Sequence, residues 1–269
     1  MNDTPKKLTP RAISAMKGVA KIAALTAYDF QTARLLDDAG IPLILVGDSL
    51  GTTLLGYDNT LPVTLLDMLR HTAAVVRGVR RALVVVDMPF MTYQASVEQA
   101  LRNCGRAIQK TGCQAVKIEG GEFRAPTIHA LVQNGIPVLA HIGLTPQSVK
   151  TLGHRVQGRG DEAARQLVAD AKAVEAAGAF ALVLEAVPAD LGAQVAAAVK
   201  IPVIGIGAGP GCDGQILVIN DLLGLSGDFK PKFVKVYADL GAQIAAAAGA
   251  YKADVETAAF PGPEHAYDP

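Results

Sequence analysis

Ionisable side chains stand at or near the ends of five successive apolar segments of this 269-residue chain. They are Asp48, Asp87, the neighbours Lys117 and Glu119, His141, and Glu185. A charged group in such surroundings is costly to bury unless it is paired, hydrogen-bonded or bound to a metal. Their recurrence on successive segments therefore favours one shared functional site over several separate structural roles.

The residue types in this set indicate a particular chemistry. Asp48, Asp87 and Glu119 are hard oxygen donors, which suit Mg²⁺ better than Zn²⁺. A bidentate substrate such as a 2-oxo acid would fill the remaining positions on the ion. Lys117 would neutralise the substrate carboxylate or a developing enolate oxygen. Glu185, with apolar neighbours on both sides along the chain, is suited to act as a general base.

Each of these residues, taken alone, also has an ordinary structural interpretation. An aspartate such as Asp87 commonly caps a helix or joins an ion pair. His141 is equally consistent with a hydrogen-bonded histidine of the core. Lys117 fits a buried stem whose charge reaches solvent. Glu185 fits a buried carboxylate paired with an arginine or lysine.

The segments that must position these groups have the pattern of parallel strands. Seven short apolar runs are continuous rather than alternating, which is typical of strands buried on both faces. They cover residues 21–27, 43–47, 82–89, 115–120, 137–143, 181–187 and 202–209. An eighth strand is expected near 215–220 or shortly after. The pattern predicts a (βα)8 TIM barrel, whose catalytic side chains gather at the C-terminal ends of the strands. An open doubly wound sheet is the alternative.

Helical stretches fill the intervals between the runs. Helices are predicted over 30–39, 96–111 and 161–177, each followed by glycine, and a C-terminal helix over 233–252. No linker divides the chain. We therefore expect a single domain over residues 1–269, with a short N-terminal extension before the barrel.

The composition excludes several classes of partner. Twenty-five basic and 25 acidic residues give a formal net charge of zero, which argues against nucleic-acid binding and polybasic membrane attachment. No apolar window reaches the roughly 18–20 residues of a membrane helix. The three cysteines form no C-x-x-C pair, and the first 18 residues lack the apolar core of a secretory signal. These features predict a cytoplasmic protein.

Two further segments have open interpretations. The glycine-rich stretch 205–211 lacks the lysine and serine or threonine of a Walker loop, so tight backbone packing is the default interpretation. The polar segment 154–162 is consistent with a mobile loop over the barrel mouth and with an ordinary surface loop.

Eight ordered strings carry a resemblance to a known family. They are VGDSLG at 46–51, TLPVT at 60–64, DMPF at 87–90, VKIEGG at 116–121, HIGLTPQS at 141–148, VQGRG at 156–160, LVLEAVP at 182–188 and IPVIGIGAG with DGQ at 201–215. From about residue 23 to residue 261 the chain resembles the ketopantoate hydroxymethyltransferase family.

The resemblance implies an enzyme of pantothenate biosynthesis that uses Mg²⁺, with 5,10-methylenetetrahydrofolate as the one-carbon donor. It would hydroxymethylate 3-methyl-2-oxobutanoate to 2-dehydropantoate through a metal-stabilised enolate. The residues that match family roles are Asp48, Asp87 and Glu119 at the metal; Asp48, Ser49, Asp87, Lys117, His141 and Tyr28 at the substrate; and Glu185 as the base. By analogy with family members it also implies a homo-oligomer, such as a decamer. The segment 148–155 is one residue shorter than the corresponding family element, which puts the contacts of a covering loop in question.

Two rival hypotheses stay open at the level of sequence. One is a related Mg²⁺-dependent lyase or mutase acting on another 2-oxo acid, although a K-K-C-G-H string of the isocitrate-lyase type is absent. The other is a noncatalytic barrel that serves as a binding or assembly module. The acidic set argues against the second, because a scaffold has no need for several carboxylates at the mouth.

Overall fold

Eight parallel strands close into a barrel in which each strand pairs with the next and β8 pairs with β1. The strands are β1 Ile22–Thr26, β2 Leu43–Val46, β3 Leu83–Asp87, β4 Ala115–Glu119, β5 Val138–Gly143, β6 Ala181–Glu185, β7 Val203–Ile206 and β8 Gly214–Leu217. All seven predicted runs contain a strand, and β8 begins one residue before the expected stretch. The predicted (βα)8 barrel is confirmed, and the open sheet is excluded.

Helices lie between successive strands along the chain, except that residues 207–213 between β7 and β8 contain none. They are α1 Pro10–Ser14, α2 Phe30–Asp38, α3 Leu50–Thr53, α4 Leu65–Gly78, α5 Val97–Thr111, α6 Ala125–Gln133, α7 Val149–Leu152, α8 Asp161–Ala176, α9 Ala189–Ala198, α10 Ile219–Leu222 and α11 Leu240–Glu256. The predicted starts and ends of α2, α5 and α8 agree within one residue. A cap explains two of these starts: the side chains of Asp29 and Ser96 accept hydrogen bonds from the third residue of α2 and α5.

The chain is described here by a computed structural model that covers residues 6–153, 155–227 and 231–267. Its contacts divide the chain into two compact units, Met1–Val218 and Ile219–Pro269. The first unit contains the barrel. The prediction of a single domain over residues 1–269 stays a prediction. Within the described ranges, no helix has the length and apolar character required to cross a membrane.

The barrel interior is filled by every second residue of the strands. Its buried cluster includes Leu43 and Leu45 of β2, Leu83 and Val85 of β3, and residues of the other strands. Ile13 of α1 belongs to the same cluster and is fully buried. Ser14 donates to the carbonyl of Phe180, directly before β6, at 2.7 Å. Helix α1 therefore closes the N-terminal end of the barrel.

The C-terminal helix begins later than the sequence predicts. In the second unit α11 starts at Leu240, so the prediction of helix over 233–239 is wrong. The backbone N–H groups of Tyr237 and Leu240 instead donate to the carbonyls of Leu222 and Leu223. The Asp239 side chain then accepts from Ala242 N and starts the helix.

The glycine-rich stretch 205–211 packs closely against α9. A Cβ on Gly209, whose φ is +79°, would lie 2.5 Å from the Cβ of Ala189. A Cβ on Gly211 would lie 2.6 Å from the Cβ of Ala193. Backbone approach at these positions therefore requires glycine, and the packing interpretation is confirmed.

Asp37 connects α2 to the beginning of β3. Its buried carboxylate accepts from the backbone N–H groups of Arg80, Arg81 and Ala82 at 2.7 to 3.1 Å. Asp37→Asn leaves a single acceptor oxygen for these donors, so we expect a loss of about 1–3 kcal/mol in the free energy of unfolding. Urea denaturation measures this loss.

The neighbouring Asp38 supplies the matched control. It forms an exposed ion pair with Arg80 at 2.7 Å, so Asp38→Asn should cost less than about 1 kcal/mol. Equal unfolding midpoints for the two variants would contradict the role given to Asp37.

Candidate active site

The ionisable residues continue the inward-facing rows of the barrel core. Each ionisable residue of strands β3 to β6 lies two or four positions after a residue that faces the barrel interior. On β3 Val85 precedes Asp87, on β4 Ala115 precedes Lys117 and Glu119, on β5 Leu139 precedes His141, and on β6 Val183 precedes Glu185. Side chains two apart on a strand share a face. The sequence therefore places all five groups inside the barrel at its C-terminal end, as predicted.

Asp87 and Lys117 form a buried ion pair. They occupy partner positions on β3 and β4, and Lys117 Nζ lies 2.7 and 2.8 Å from the two oxygens of Asp87. Lys117 is 3% exposed, so its charge does not reach solvent. Lys117 Nζ also lies 3.6 Å from Glu119 Oε1. The ammonium is thus shared between two carboxylates of the site.

His141 stands between two carboxylates from the neighbouring strands. Its Nδ1 lies 3.5 Å from Glu119 Oε1, and its Nε2 lies 3.3 Å from Glu185 Oε2. At these distances both contacts are ion pairs when the imidazole is protonated. The side chain of Glu185 is 17% exposed. The residues next to Glu185 along the chain are apolar, as the sequence shows, but they face away from its side chain. Its charged neighbour is His141 on β5.

Asp48 lies two residues beyond the end of β2 and joins this cluster. It is buried, and its backbone N–H donates to Asp87 Oδ2 at 3.3 Å. Ser49 follows it, and the Ser49 and Tyr28 hydroxyls hydrogen-bond each other at 2.8 Å. The structure thus brings together six predicted residues: Asp48, Asp87, Lys117, Glu119, His141 and Glu185. Ser49 lies beside this cluster because it follows Asp48 in the chain, and Tyr28 lies beside Ser49 through their hydrogen bond.

Two buried residues of the site were missed by the sequence analysis. Gln147, after β5, donates from Nε2 to Asp48 Oδ2 at 3.0 Å. Tyr93, after β3, donates its hydroxyl to Gln147 Oε1 at 2.8 Å and accepts from Glu119 N at 3.0 Å. Gln147 lies within the string at 141–148 that carries the resemblance, which was the available signal. Its contact with Asp48 depends on the path of the loop after β5.

Burial and mutual repulsion define the electrostatics of the acids. Burial, followed by the negative charge of Asp87, raises the pKa of Asp48 well above its ordinary value. Burial also raises the pKa of Asp87, although Lys117 opposes this effect. Burial alone would lower the pKa of Lys117, but the surrounding carboxylates raise it. Three carboxyl groups, those of Asp48, Asp87 and Glu119, therefore surround the ammonium of Lys117, and a further positive charge would favour their ionised forms.

A hard divalent cation fits this set of carboxyl groups. The two carboxylates of Asp48 and Asp87 are the kind of ligand that Mg²⁺ combines with water and substrate oxygens. The described residues contain no group of three or more His, Cys, Asp or Glu side chains arranged to hold a metal. Glu119 is engaged by Lys117, His141 and the backbone N–H of Gln147. The donor set thus fits an ion bound by two aspartates, and joint ligation by Glu119 stays a prediction.

His141 should remain protonated at neutral pH in the metal-free protein. Burial and the charge of Lys117 lower its pKa, but the carboxylates of Glu119 and Glu185 outweigh them and raise it to about 9. The folded protein binds this proton more tightly than the unfolded chain. Protonation of His141 therefore contributes to the free energy of unfolding. This contribution is fully present below the unfolded-state pKa of about 6.5 and is lost as the pH rises through about 9.

Nuclear magnetic resonance of ¹⁵N-labelled imidazole nitrogens measures this protonation directly. Glu185→Gln removes one of the two negative charges beside His141 and should lower its pKa. A titration that shifts in this variant therefore identifies the signal as that of His141. Titration of His141 near its ordinary value in the wild-type, metal-free protein would contradict this account.

A cavity of about 420 Å³ adjoins the cluster. It is bounded by the loops after β3, β4 and β5 and by α8, and Glu119 and Gln147 belong to its wall. Phe90, Phe123 and Arg124 also line it. Residues 155–160 of the predicted covering or surface loop contain no regular secondary structure, and Gln157 N donates to Ala186 O at 2.8 Å. His154 lies outside the described residues.

Comparisons with known proteins give one consistent result. The family described as ketopantoate hydroxymethyltransferase matches residues 7–263. The 3-methyl-2-oxobutanoate hydroxymethyltransferase of Chloroflexus aurantiacus is 55% identical over 260 residues, covering 96% of this chain and 92% of the relative. That of Syntrophus aciditrophicus is 52% identical, covering 97% of both chains. The structure of 2,3-dimethylmalate lyase, a PEP mutase/isocitrate lyase superfamily member, aligns with a TM-score of 0.61 at 19% identity, covering 96% of this chain and 93% of that chain.

The fold and the site together define a (βα)8-barrel protein with an acidic, buried site at the C-terminal ends of its strands. The structural likeness to the lyase shows this fold alone. The family match across nearly the whole chain goes further: the chain belongs to the ketopantoate hydroxymethyltransferase family, whose members are transferases. The resemblance seen in the sequence is therefore confirmed.

Proposed function

We propose that this protein transfers a hydroxymethyl group from 5,10-methylenetetrahydrofolate to 3-methyl-2-oxobutanoate, giving 2-dehydropantoate. The observation that carries the proposal is the arrangement of Glu185 beside His141 at one side of a cluster that contains Asp48, Asp87 and Lys117. It combines a candidate base with groups suited to a 2-oxo acid and a cation. Family membership supports the same reaction.

Each residue has a role in this proposal. Asp48 and Asp87 would hold Mg²⁺, and Glu119 would act beside the ion. When bound, Mg²⁺ polarises the oxo acid and makes its C3 proton more acidic. Glu185 accepts that proton, and the carbanion equivalent at C3 attacks the methylene carbon of the folate. Both bonds from this carbon to the folate nitrogens break: the new bond to C3 replaces one, and a hydroxyl group from water replaces the other. The proton taken from C3 and the remaining proton of the water complete the two N–H groups of the tetrahydrofolate that leaves.

The neighbouring residues orient the reactant and control its charge. Lys117, already held by Asp87, is placed to balance the substrate carboxylate or the enolate oxygen. His141 Nε2, 3.3 Å from Glu185 Oε2, would hold the carboxyl group of Glu185 in place beside the substrate. Ser49 and Tyr28 would bind the oxo acid from the β1–β2 side. The cavity beside Glu119 and Gln147 offers room for a second reactant.

Hydrogen exchange at C3 tests the first chemical step without the folate. The protein is mixed with 3-methyl-2-oxobutanoate in D₂O, and proton spectra follow the C3 signal. We expect exchange that requires Mg²⁺ and stops when a chelator is added. The matched control is 3,3-dimethyl-2-oxobutanoate, which has the same 2-oxo carboxylate group but no proton at C3. Exchange no faster than in buffer would overturn the proposal.

Addition of 5,10-methylenetetrahydrofolate separates this reaction from the rival lyase or mutase. A hydroxymethyl group should then appear at C3 of the oxo acid. Cleavage or rearrangement of the oxo acid without incorporation of the one-carbon unit would support the rival. The cytoplasmic location and the homo-oligomeric state remain proposals based on composition and resemblance, and sedimentation of the purified protein tests the second.

A further inference from the structure

The side chain of Gln147 has hydrogen-bond partners at both ends of its amide. Its Oε1 accepts from Tyr93 OH at 2.8 Å and from Gln94 Nε2 at 2.9 Å. Its Nε2 donates to Asp48 Oδ2 at 3.0 Å and to the carbonyl of Met88 at 2.9 Å. Gln147 is 5% exposed, so water does not replace these contacts readily.

These four bonds define the orientation of the amide. A reversed amide would turn its oxygen toward the Asp48 carboxylate and the Met88 carbonyl, and its NH₂ group toward the donor from Gln94. Acceptors would then face acceptors in a buried site, which is unfavourable. Tyr93 and Gln94 therefore keep the NH₂ group of Gln147 directed at Asp48.

The backbone of the same residue holds a second acid. Gln147 N donates to Glu119 Oε2 at 3.1 Å. Asp48 follows β2 and Glu119 ends β4, so one residue of the loop after β5 contacts acids from two other segments. Tyr93 connects to both parts of this arrangement, because its hydroxyl also accepts from Glu119 N.

We infer that Gln147 is a positioning residue for the proposed metal site, holding the Asp48 carboxylate through its side chain while Tyr93 fixes its orientation. The inference rests on the proposed function, because it assumes that Asp48 binds a cation. A partner that orients a ligating carboxylate typically changes metal affinity by about 10- to 100-fold. Gln147 achieves this with a neutral donor, which adds no charge to the site.

Calorimetric titration of the protein with Mg²⁺, without substrate, tests the inference. Gln147→Ala should weaken Mg²⁺ binding by about 10- to 100-fold. Tyr93→Phe should weaken it by a smaller factor, since Gln94 remains as a donor to Gln147. Gln133→Ala, on the exposed end of α6, is the matched control and should leave the affinity unchanged.

The Mg²⁺ dependence of C3 exchange distinguishes positioning from a general structural defect. If Gln147 positions Asp48, the Gln147→Ala variant needs more Mg²⁺ for half-maximal exchange but approaches the wild-type maximum at saturation. A fall in the maximum with an unchanged Mg²⁺ requirement would overturn the inference.

Three results separate this inference from the proposed function. Wild-type affinity in both Gln147→Ala and Tyr93→Phe, with clear Mg²⁺ binding by the wild type, overturns the role of Gln147 alone. If Gln147→Ala does not fold, unchanged affinity in Tyr93→Phe is sufficient to overturn it. No Mg²⁺ binding by the wild type overturns the proposed metal site itself and the role of Gln147 with it.

Discussion

Asp87→Ala should abolish Mg²⁺ binding and metal-dependent turnover. The substitution removes one of the two carboxylates proposed to hold the ion and the hydrogen-bonded partner of Lys117. The buried ammonium keeps Glu119 as a neighbour at 3.6 Å, but with one carboxylate fewer in the site its positive charge opposes the binding of a second cation. Because metal polarisation contributes several kcal/mol to such a reaction, we expect a loss of about a thousandfold or more in C3 exchange.

The same substitution also affects stability, so a second variant is needed. Removing one partner of a buried ion pair costs about 3–5 kcal/mol. Asp87→Asn keeps the volume and one acceptor oxygen for Lys117, and should fold while still losing Mg²⁺ affinity. Asp38→Asn, at an exposed position of α2, provides the control. Wild-type Mg²⁺ affinity in a folded Asp87→Asn protein would show that Asp87 is not a ligand.

Glu185→Gln should remove proton transfer while metal binding is retained. Glu185 contacts His141 and has no ion pair with lysine or arginine among the described residues. A glutamine fills the same volume but cannot accept the C3 proton. Loss of a general base typically slows a reaction by about 10²- to 10⁴-fold, so C3 exchange should fall by this factor.

Binding measurements separate this effect from metal loss. Glu185→Gln should keep Mg²⁺ and oxo-acid affinities near those of the wild type, and Glu98→Gln, on the exposed face of α5, should change neither affinity nor exchange. If the Glu185→Gln variant exchanges the C3 proton at the wild-type rate, another group is the base. His141 is the next candidate to test, because its Nε2 lies 3.3 Å from Glu185 Oε2 and the loss of the Glu185 charge lowers the pKa of His141.

The barrel and most of the site follow from local sequence features. Continuous β-branched runs specify buried parallel strands, and the position of an ionisable residue at the end of such a run places it at the barrel mouth. The two-residue period adds the direction of the side chain. This is why the location of Asp87, Lys117 and His141 could be predicted without knowledge of their contacts.

The remaining features depend on contacts between distant segments. Gln147 meets Asp48 across 99 positions of sequence, and a glutamine between a proline and a serine gives no local signal of that contact. The immediate neighbour of Glu185 comes from the adjacent strand β5, which the residues flanking it along the chain do not reveal. The start of α11 was misplaced because tertiary backbone hydrogen bonds of residues 237–240 override a helical pattern.

The closure of the barrel by its own two ends has a consequence for synthesis on the ribosome. Ile13 and β1 emerge before the other strands, but the partners of β1 on one side lie in β8, which begins at Gly214. Roughly 190 residues separate the two strands. At a synthesis rate of about 5 to 20 residues per second, β8 is therefore made on the order of 10 to 40 seconds after β1. During this interval one edge of β1 and the apolar face of α1 lack their final partners. The nascent protein therefore presents a strand edge and a helix that chaperones can bind, and its folding is completed only after β8 has left the ribosome.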